Sequence, residues 1–276
     1  MNQIHHSKRG IYSKFVFPKL NKFLKGKKVI LVGPAPYLEK SNLGEYIDGF
    51  DVVIRMKKGF PVPSQLHKGI GTKTDIFYTN FKKNHNNFSY ECYIHMFQKN
   101  VKFICFPYPA QYSRQDINER LFKLLQKNFL KEINNIKALF GKKFPISITY
   151  DTTTNYFNTI ESMIGSRPTT GILAILDLLQ YDIKELQLVG FTFRYELLKA
   201  QKEETSLDYT ALRQIYSQYY KNDMENDYSW RNTVRNHTHE LIKEISFFKR
   251  LILLDKRIKI DEKLKKILKT NFSEYN

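Results

Sequence analysis

Short apolar runs, each closed by glycine, proline or a charged residue, recur along the first half of the chain. Lys28-Val29-Ile30-Leu31-Val32 leads into Gly33-Pro34-Ala35-Pro36, and residues 51–55, 75–78 and 101–106 repeat the pattern. The third run follows the turn-like Gly69-Ile70-Gly71-Thr72, and the fourth is cut off by Pro107 and Pro109. None alternates strictly, which suits strands buried on both faces, so the pattern predicts a mainly parallel sheet. From residue 115 to 140 the period changes. Ile117, Leu121, Leu124, Leu125, Phe129, Ile133, Ile136 and Phe140 fall near helical spacing, and Gly141 supplies a stop. A further helix is predicted from Pro168 to about Tyr181, then a strand over Glu185–Val189. Helices over 239–254 and 262–270 flank a short strand at 257–260. With no internal repeat and no linker, strands alternating with helices predict one α/β domain over 28–276, its central sheet flanked by helices.

Residues 1–27 differ in composition. Lys8, Arg9, Lys14, Lys19, Lys22, Lys25 and Lys27 are interleaved with Ile11, Tyr12, Phe15, Phe17, Leu20, Phe23 and Leu24, with no acidic residue. Two readings of this arm stand: a solvated basic segment partly packed on the domain, or peripheral contact with an anionic membrane. Pro18 is expected to interrupt a continuous helix there.

Composition narrows the partners. At 42% hydrophobic residues the chain has enough apolar material for a core, which excludes a disordered protein. A formal charge of +18 calls for anionic partners, and nucleic acid, a lipid surface and phosphate-bearing small molecules all satisfy it. The basic residues are dispersed and no zinc, helix-turn-helix or RNP signature is present, so nucleic acid is not expected. Cys92 and Cys105 have neither disulfide-framework nor metal-ligand spacing and read as thiols in a reducing compartment. The N-terminus has no continuous apolar stretch and no run reaches the length of a spanning helix, so the expected location is cytoplasmic.

Three segments carry candidate chemistry. Val29–Leu38 is a strand entering a tight Gly/Pro turn, which brings backbone to the carboxyl edge of a parallel sheet. It lacks the Gly-x-Gly-x-x-Gly spacing, with Pro36 in place of the second glycine, so a nicotinamide dinucleotide is disfavoured. Arg167-Pro168-Thr169-Thr170-Gly171 marks a helix N-terminus, where free N–H groups and the helix dipole favour an anion; Gly171 leaves room for a ligand's approach. His237-Thr238-His239-Glu240-Leu241-Ile242-Lys243-Glu244 is expected to open a helix, with His239 in the first turn and able to act as a general base. It is not a zincin motif, because residue 243 is lysine. Between the last two segments, residues 209–236 are polar and rich in tyrosine. Tyr219, Tyr220, Tyr228 and Trp230 stand among Arg213, Lys221, Arg231 and Arg235, a composition that suits a mobile lid or a surface loop.

Taken in order, these segments resemble the sialyltransferase family, whose members share long, short and very-short sialylmotifs. Residues 29–57, with Val-Gly-Pro-Ala-Pro-Tyr-Leu and Asp-Val-Val-Ile-Arg-Met-Lys, resemble the long motif, and Gly71-Thr72-Lys73-Thr74-Asp75 its continuation. Pro168 to Ile175 and Leu188-Val189-Gly190-Phe191 resemble the short motif, and His239 with Glu244 matches the very-short His-x4-Glu pattern. The resemblance implies a single Rossmann-like domain of a GT-A variant, CMP over the carboxyl edge of the sheet, and inversion at the anomeric carbon. It implies His239 as the base that takes the acceptor proton. It implies donor contacts at Gly33, Pro34, Ala35, Pro36, Arg55, Lys57, Asn80, Thr169, Thr170, Gly171 and Phe191, with Lys57 near the phosphate. Glu244, His237, Tyr228 and Trp230 would support the site.

The expected partners are a CMP-sugar donor and a glycan or glycolipid acceptor, with neither metal nor cofactor. Diphosphate-leaving transferases commonly hold a metal with Asp-x-Asp, and this chain has no such motif. Where the family carries asparagine, this chain has Pro34 and Lys57, and the cysteines of animal secretory members are missing. These departures imply a bacterial or viral branch without signal anchor or stem. Sialic acid and another CMP-linked 3-deoxy-ulosonate such as Kdo both remain open as donor sugar. A nucleotide- or nucleic-acid-binding protein without catalysis is the reading from another class.

Overall fold

A computed structural model describes residues 17–56, 59–79, 100–107, 138, 147–150, 155–193, 195 and 227–270. Seven strands form one sheet in the order β5-β4-β3-β2-β1-β6-β7. They are β1 Lys28–Val32, β2 Val52–Met56, β3 Ile76–Tyr78, β4 Phe103–Phe106, β5 Ser147–Tyr150, β6 Glu185–Val189 and β7 Ile258–Ile260. Every pairing is parallel, with Ile30 of β1 opposite Val53 of β2 on one side and Gln187 of β6 on the other. The helices are α1 Pro18–Leu24, α2 Gly44–Asp48, α3 His67–Ile70, α4 Asn155–Ile164, α5 Thr170–Leu178, α6 Asp227–Leu254 and α7 Glu262–Lys269.

Continuous apolar runs make sense here because both sheet faces are covered. On one face Val29 and Leu31 pack with Leu20 and Leu24 of α1, Phe157 and Ile160 of α4, Ile172 to Leu176 of α5, and Phe247, Phe248 and Leu251 of α6. On the other face Ile30, Val32 and Val53 meet Leu38, Ile47, Ile70 and Val189. Strand order reverses between β1 and β6: β1 to β5 extend one way and β6 and β7 the other. In such a sheet the loops leaving the carboxyl ends of β1 and β6 part to opposite faces, and the crevice between them is where ligands bind.

One expectation sharpens and one changes. Pro18 opens α1 as its first residue, where a missing N–H costs nothing. The chain from Phe17 onward therefore belongs to the core: Leu20 and Leu24 are fully buried. The helix expected to begin at His239 begins instead at Asp227, so residues 227–236 of the tyrosine-rich segment are helical and His239 lies well inside α6. Residues 209–226, Cys92 and, apart from Ala138, the helix expected over 115–140 lie outside the described residues. Cys105 is a buried thiol on β4. Among the described residues no helix is long and apolar enough to cross a membrane.

Replacing Leu20 with Ala tests whether α1 is core or arm. A loss of about 2–4 kcal/mol in chemical denaturation is expected for a fully buried leucine. A change below about 0.5 kcal/mol would return α1 to the arm.

Candidate active site

The carboxyl ends of β1 and β6 approach more closely than side chains permit. A Cβ on Gly33 would stand 2.2 Å from the Gly190 carbonyl oxygen, and one on Gly190 would stand 2.6 Å from the Gly33 oxygen. Gly190 also sits at φ +75, a left-handed conformation that glycine adopts without strain. The turn is then sewn to β6: the Gly33 N–H donates to the Val189 carbonyl at 2.8 Å and the Ala35 N–H to the Gly190 carbonyl at 3.2 Å. Pro34 and Pro36 carry no N–H. Each residue of the Gly33–Pro36 turn thus either spends its donor within the scaffold or has none. Pro34 is exposed, Pro36 half-exposed and Ala35 buried, so the turn presents an apolar ridge rather than a phosphate cradle.

Phe191 fills the space left by two glycines. Its ring lies 3.1 Å from a Cβ built on Gly33 and 3.0 Å from one built on Gly171. Phe191 was expected to contact the donor and Gly171 to leave a ligand room. In the structure the ring is buried and locks the turn after β1 to the start of α5. Thr169 caps α5, its hydroxyl accepting from the Ile172 N–H at 3.4 Å, while Thr170 is buried.

Glu244 of α6 also reaches the start of α5. Its carboxylate, 1% exposed, accepts a hydrogen bond from the Thr169 backbone N–H. A buried carboxylate at a helix N-terminus is favoured by the helix dipole and by a charge-assisted bond of about 1.5–3 kcal/mol. The supporting role expected of Glu244 therefore has a concrete form: it fastens α6 to α5.

Arg55 follows the same pattern. Its side chain is fully buried, Nη2 donating to the Ile70 carbonyl at 2.7 Å and Nε to the Lys73 carbonyl and the Thr74 hydroxyl at 3.1 and 3.0 Å. Burial lowers the guanidinium to about 10 while Asp48 pulls it back up, so it is cationic at neutral pH. Arg55 pins the segment before β3. Asp48 completes that anchor by accepting from the backbone N–H groups of Thr72 and Lys73.

The placement of His239 follows from the backbone. α5 begins at the sheet's carboxyl edge and runs back toward the start of β6, and α6 ends beside the start of β7. Positions before Glu244 on α6 therefore rise beyond the Thr169 level. His239 stands about 7.5 Å along the axis and about 140° around it from Glu244, on the carboxyl-edge side of the sheet. His237 lies on the same stretch, and Tyr228 and Trp230 are in the first turn of α6. Lys57 and Asn80 lie outside the described residues.

Two further residues went unrecognised in the sequence. The Tyr37 hydroxyl donates to the Asp261 carboxylate and accepts from the Gly190 N–H at 2.8 Å. Asp261 also caps α7 through its other oxygen, 2.8 Å from the Leu264 N–H. Aspartate before a helical run is a cap signal and could have been read; its bond to a residue 224 positions away could not.

A doubly wound sheet with its crevice at a β1/β6 switch point, two glycine-locked turns and a helix start aimed there define a Rossmann-like α/β protein. More narrowly, the chain belongs to glycosyltransferase family 29, the sialyltransferases, whose family model matches residues 18–254. No curated protein matches it significantly. Among solved structures it is similar to a mammalian sialyltransferase in complex with Gal-beta-1-3GalNAc-ortho-nitrophenol, at 18% identity and TM-score 0.38 over 66% of this chain and 61% of that one. It is similar to the Campylobacter jejuni sialyltransferase CstII in complex with cytidine-5'-monophosphate, at 19% identity and TM-score 0.38 over 62% and 64% of the two chains. A second mammalian sialyltransferase structure matches at 16% identity and TM-score 0.40 over 86% and 69%. The chain spans less than two thirds of the first two of these.

The two glycines beside Phe191 predict unequal costs. Gly33→Ala meets backbone that cannot move without breaking the β1–β6 pairing, so a loss above about 3 kcal/mol or failure to fold is expected. Gly171→Ala meets a side-chain ring edge rather than backbone, and alanine's helix propensity offsets part of the clash, so a smaller loss than for Gly33→Ala is expected in a urea titration. For Glu244→Gln, which keeps an acceptor but removes the charge, about 1–2 kcal/mol is expected. Equal costs for the two glycine variants, or no cost for the glutamine, would contradict these packing assignments.

Proposed function

We propose that this protein is an inverting glycosyltransferase that moves sialic acid, or a related 3-deoxy-ulosonate, from a CMP-linked donor to a glycan hydroxyl. The observation that carries this reading is the family match over residues 18–254, with the motif segments drawn together at one switch point. The nucleotide is proposed to lie over the carboxyl ends of β1 and β6, against the Pro34–Pro36 ridge and the exposed part of the α5 start.

In the proposed reaction the bond between the anomeric carbon and the phosphate oxygen breaks and CMP leaves with that electron pair. The acceptor oxygen attacks the opposite face, and its proton passes to His239. A leaving phosphate monoester carries less charge to neutralise than a diphosphate, which together with the absence of Asp-x-Asp supports a metal-independent mechanism. The basic chain, at +18, suits both the anionic donor and an acceptor presented at an anionic membrane surface.

A thermal-shift panel with CMP, UMP, GDP and NAD tests the nucleotide, and mass-spectrometric assays with CMP-sialic acid and CMP-Kdo test the sugar. CMP is expected to raise the melting temperature and the others to have little effect. Stabilisation by UDP-sugars or NAD but not by CMP would sink the reading. For His239→Ala a loss of roughly 10²- to 10⁴-fold in kcat is expected with CMP affinity unchanged. Transfer equal to wild type would remove His239 as the base.

A further inference from the structure

β7 and α7 lie beyond residue 254, where the family match ends, yet Asp261 between them reaches the turn after β1. Its carboxylate has three partners, divided between its two oxygens. Oδ1 caps α7, and Oδ2 accepts from the Tyr37 hydroxyl while standing 3.2 Å from the Gly190 N–H. Tyr37 is the second residue of the 3₁₀ turn Pro36–Lys40, directly after the Pro34–Pro36 ridge. The Gly190 N–H lies where β6 meets the Gly33 backbone. One carboxylate thus joins the turn after β1, the end of β6 and the start of α7, three segments that meet only at the carboxyl edge.

We propose that Asp261 and Tyr37 are positioning residues for the nucleotide: a latch through which the C-terminal β7–α7 unit holds the Pro34–Pro36 ridge at the height the donor requires. The inference rests on the donor reading above. Its logic is geometric. The ridge is apolar and spends its own N–H groups on β6, so it recognises a ligand by shape, and shape recognition is lost when the ridge is free to shift. The Leu38 side chain lies 2.4 Å from a Cβ built on Gly190, so movement of this turn is also movement against the β6 end. The two latch residues touch each other and act on the donor only through the turn.

The test uses the full chain with Tyr37→Phe, Asp261→Asn and the double variant. CMP affinity is read by calorimetry, KM and kcat with the CMP-sugar, and thermal midpoint alongside. Asn retains a carbonyl oxygen able to cap α7 but not the charge that holds the Tyr37 hydroxyl, which separates cap from latch. Each single variant is expected to weaken CMP binding roughly five- to twentyfold. KM should rise in step and kcat should change less than about twofold. The double variant, which alone leaves the Gly190 N–H with neither side-chain acceptor, should bind CMP at least as weakly as each single one. Variants with lowered thermal midpoints but wild-type CMP affinity and KM would overturn the latch while leaving the donor reading intact. Absence of CMP binding by the wild type would overturn the donor reading and the latch with it.

Discussion

The contact between the Gly33 and Gly190 backbones constrains everything built on the carboxyl edge. Parallel pairing brings β1 and β6 to the edge side by side, and their following residues then cross at a separation that any Cβ would forbid. Once that crossing is made, the ring of Phe191 has a fixed place, and that ring sets how near α5 can come. Tyr37 finds the Gly190 N–H within reach for the same reason. The crevice at the switch point is therefore a consequence of strand order, and its dimensions are a consequence of two missing side chains.

Buried charge then fixes the loops that strand pairing leaves free. Arg55 gathers carbonyls from Ile70 and Lys73, Asp48 gathers the N–H groups of Thr72 and Lys73, and Glu244 takes the Thr169 N–H. Each charged group meets backbone rather than a counter-ion alone, which offsets its desolvation without two flexible side chains having to find each other. Several of the motif residues are thus architectural. Gly33, Arg55, Thr170, Phe191 and Glu244 are buried and serve to place surfaces, so a motif match here reports first on the frame and only then on the ligand.

This explains what could be read in the sequence. The runs at Lys28–Val32 and Glu185–Val189 name β1 and β6 to the residue: β1 shows four apolar residues in a row, as a strand buried on both faces does, and β6 is marked by Leu186, Leu188 and Val189 around a buried Gln187. β5 is Ser-Ile-Thr-Tyr among lysines and threonines and offers no such run. The first turns of α6 carry Asn, Arg, Tyr and Trp without an apolar stripe, so local pattern placed the helix start too late. At the site, residue type suggested contact with a ligand wherever charge or glycine stood near a strand end. The family resemblance implies donor contacts at Arg55 and Gly171, and the groups that pack against them, the Ile70 carbonyl and the Phe191 ring, come from distant segments that no local spacing announces.

The same arithmetic of donors bears on how an anionic ligand is held. The turn after β1 gives its N–H groups to Val189 and Gly190 and contains two prolines, so it cannot wrap a phosphate as a glycine-rich loop does. At the start of α5 the Thr169 N–H is taken by Glu244 and the Ile172 N–H by the Thr169 hydroxyl. Under the proposed donor reading, the phosphate charge is met by cationic side chains where the turn after β1 offers no free N–H. A chain with 45 lysines and arginines against 27 acidic residues has cationic side chains in excess for that task, beside an apolar ridge that offers shape alone.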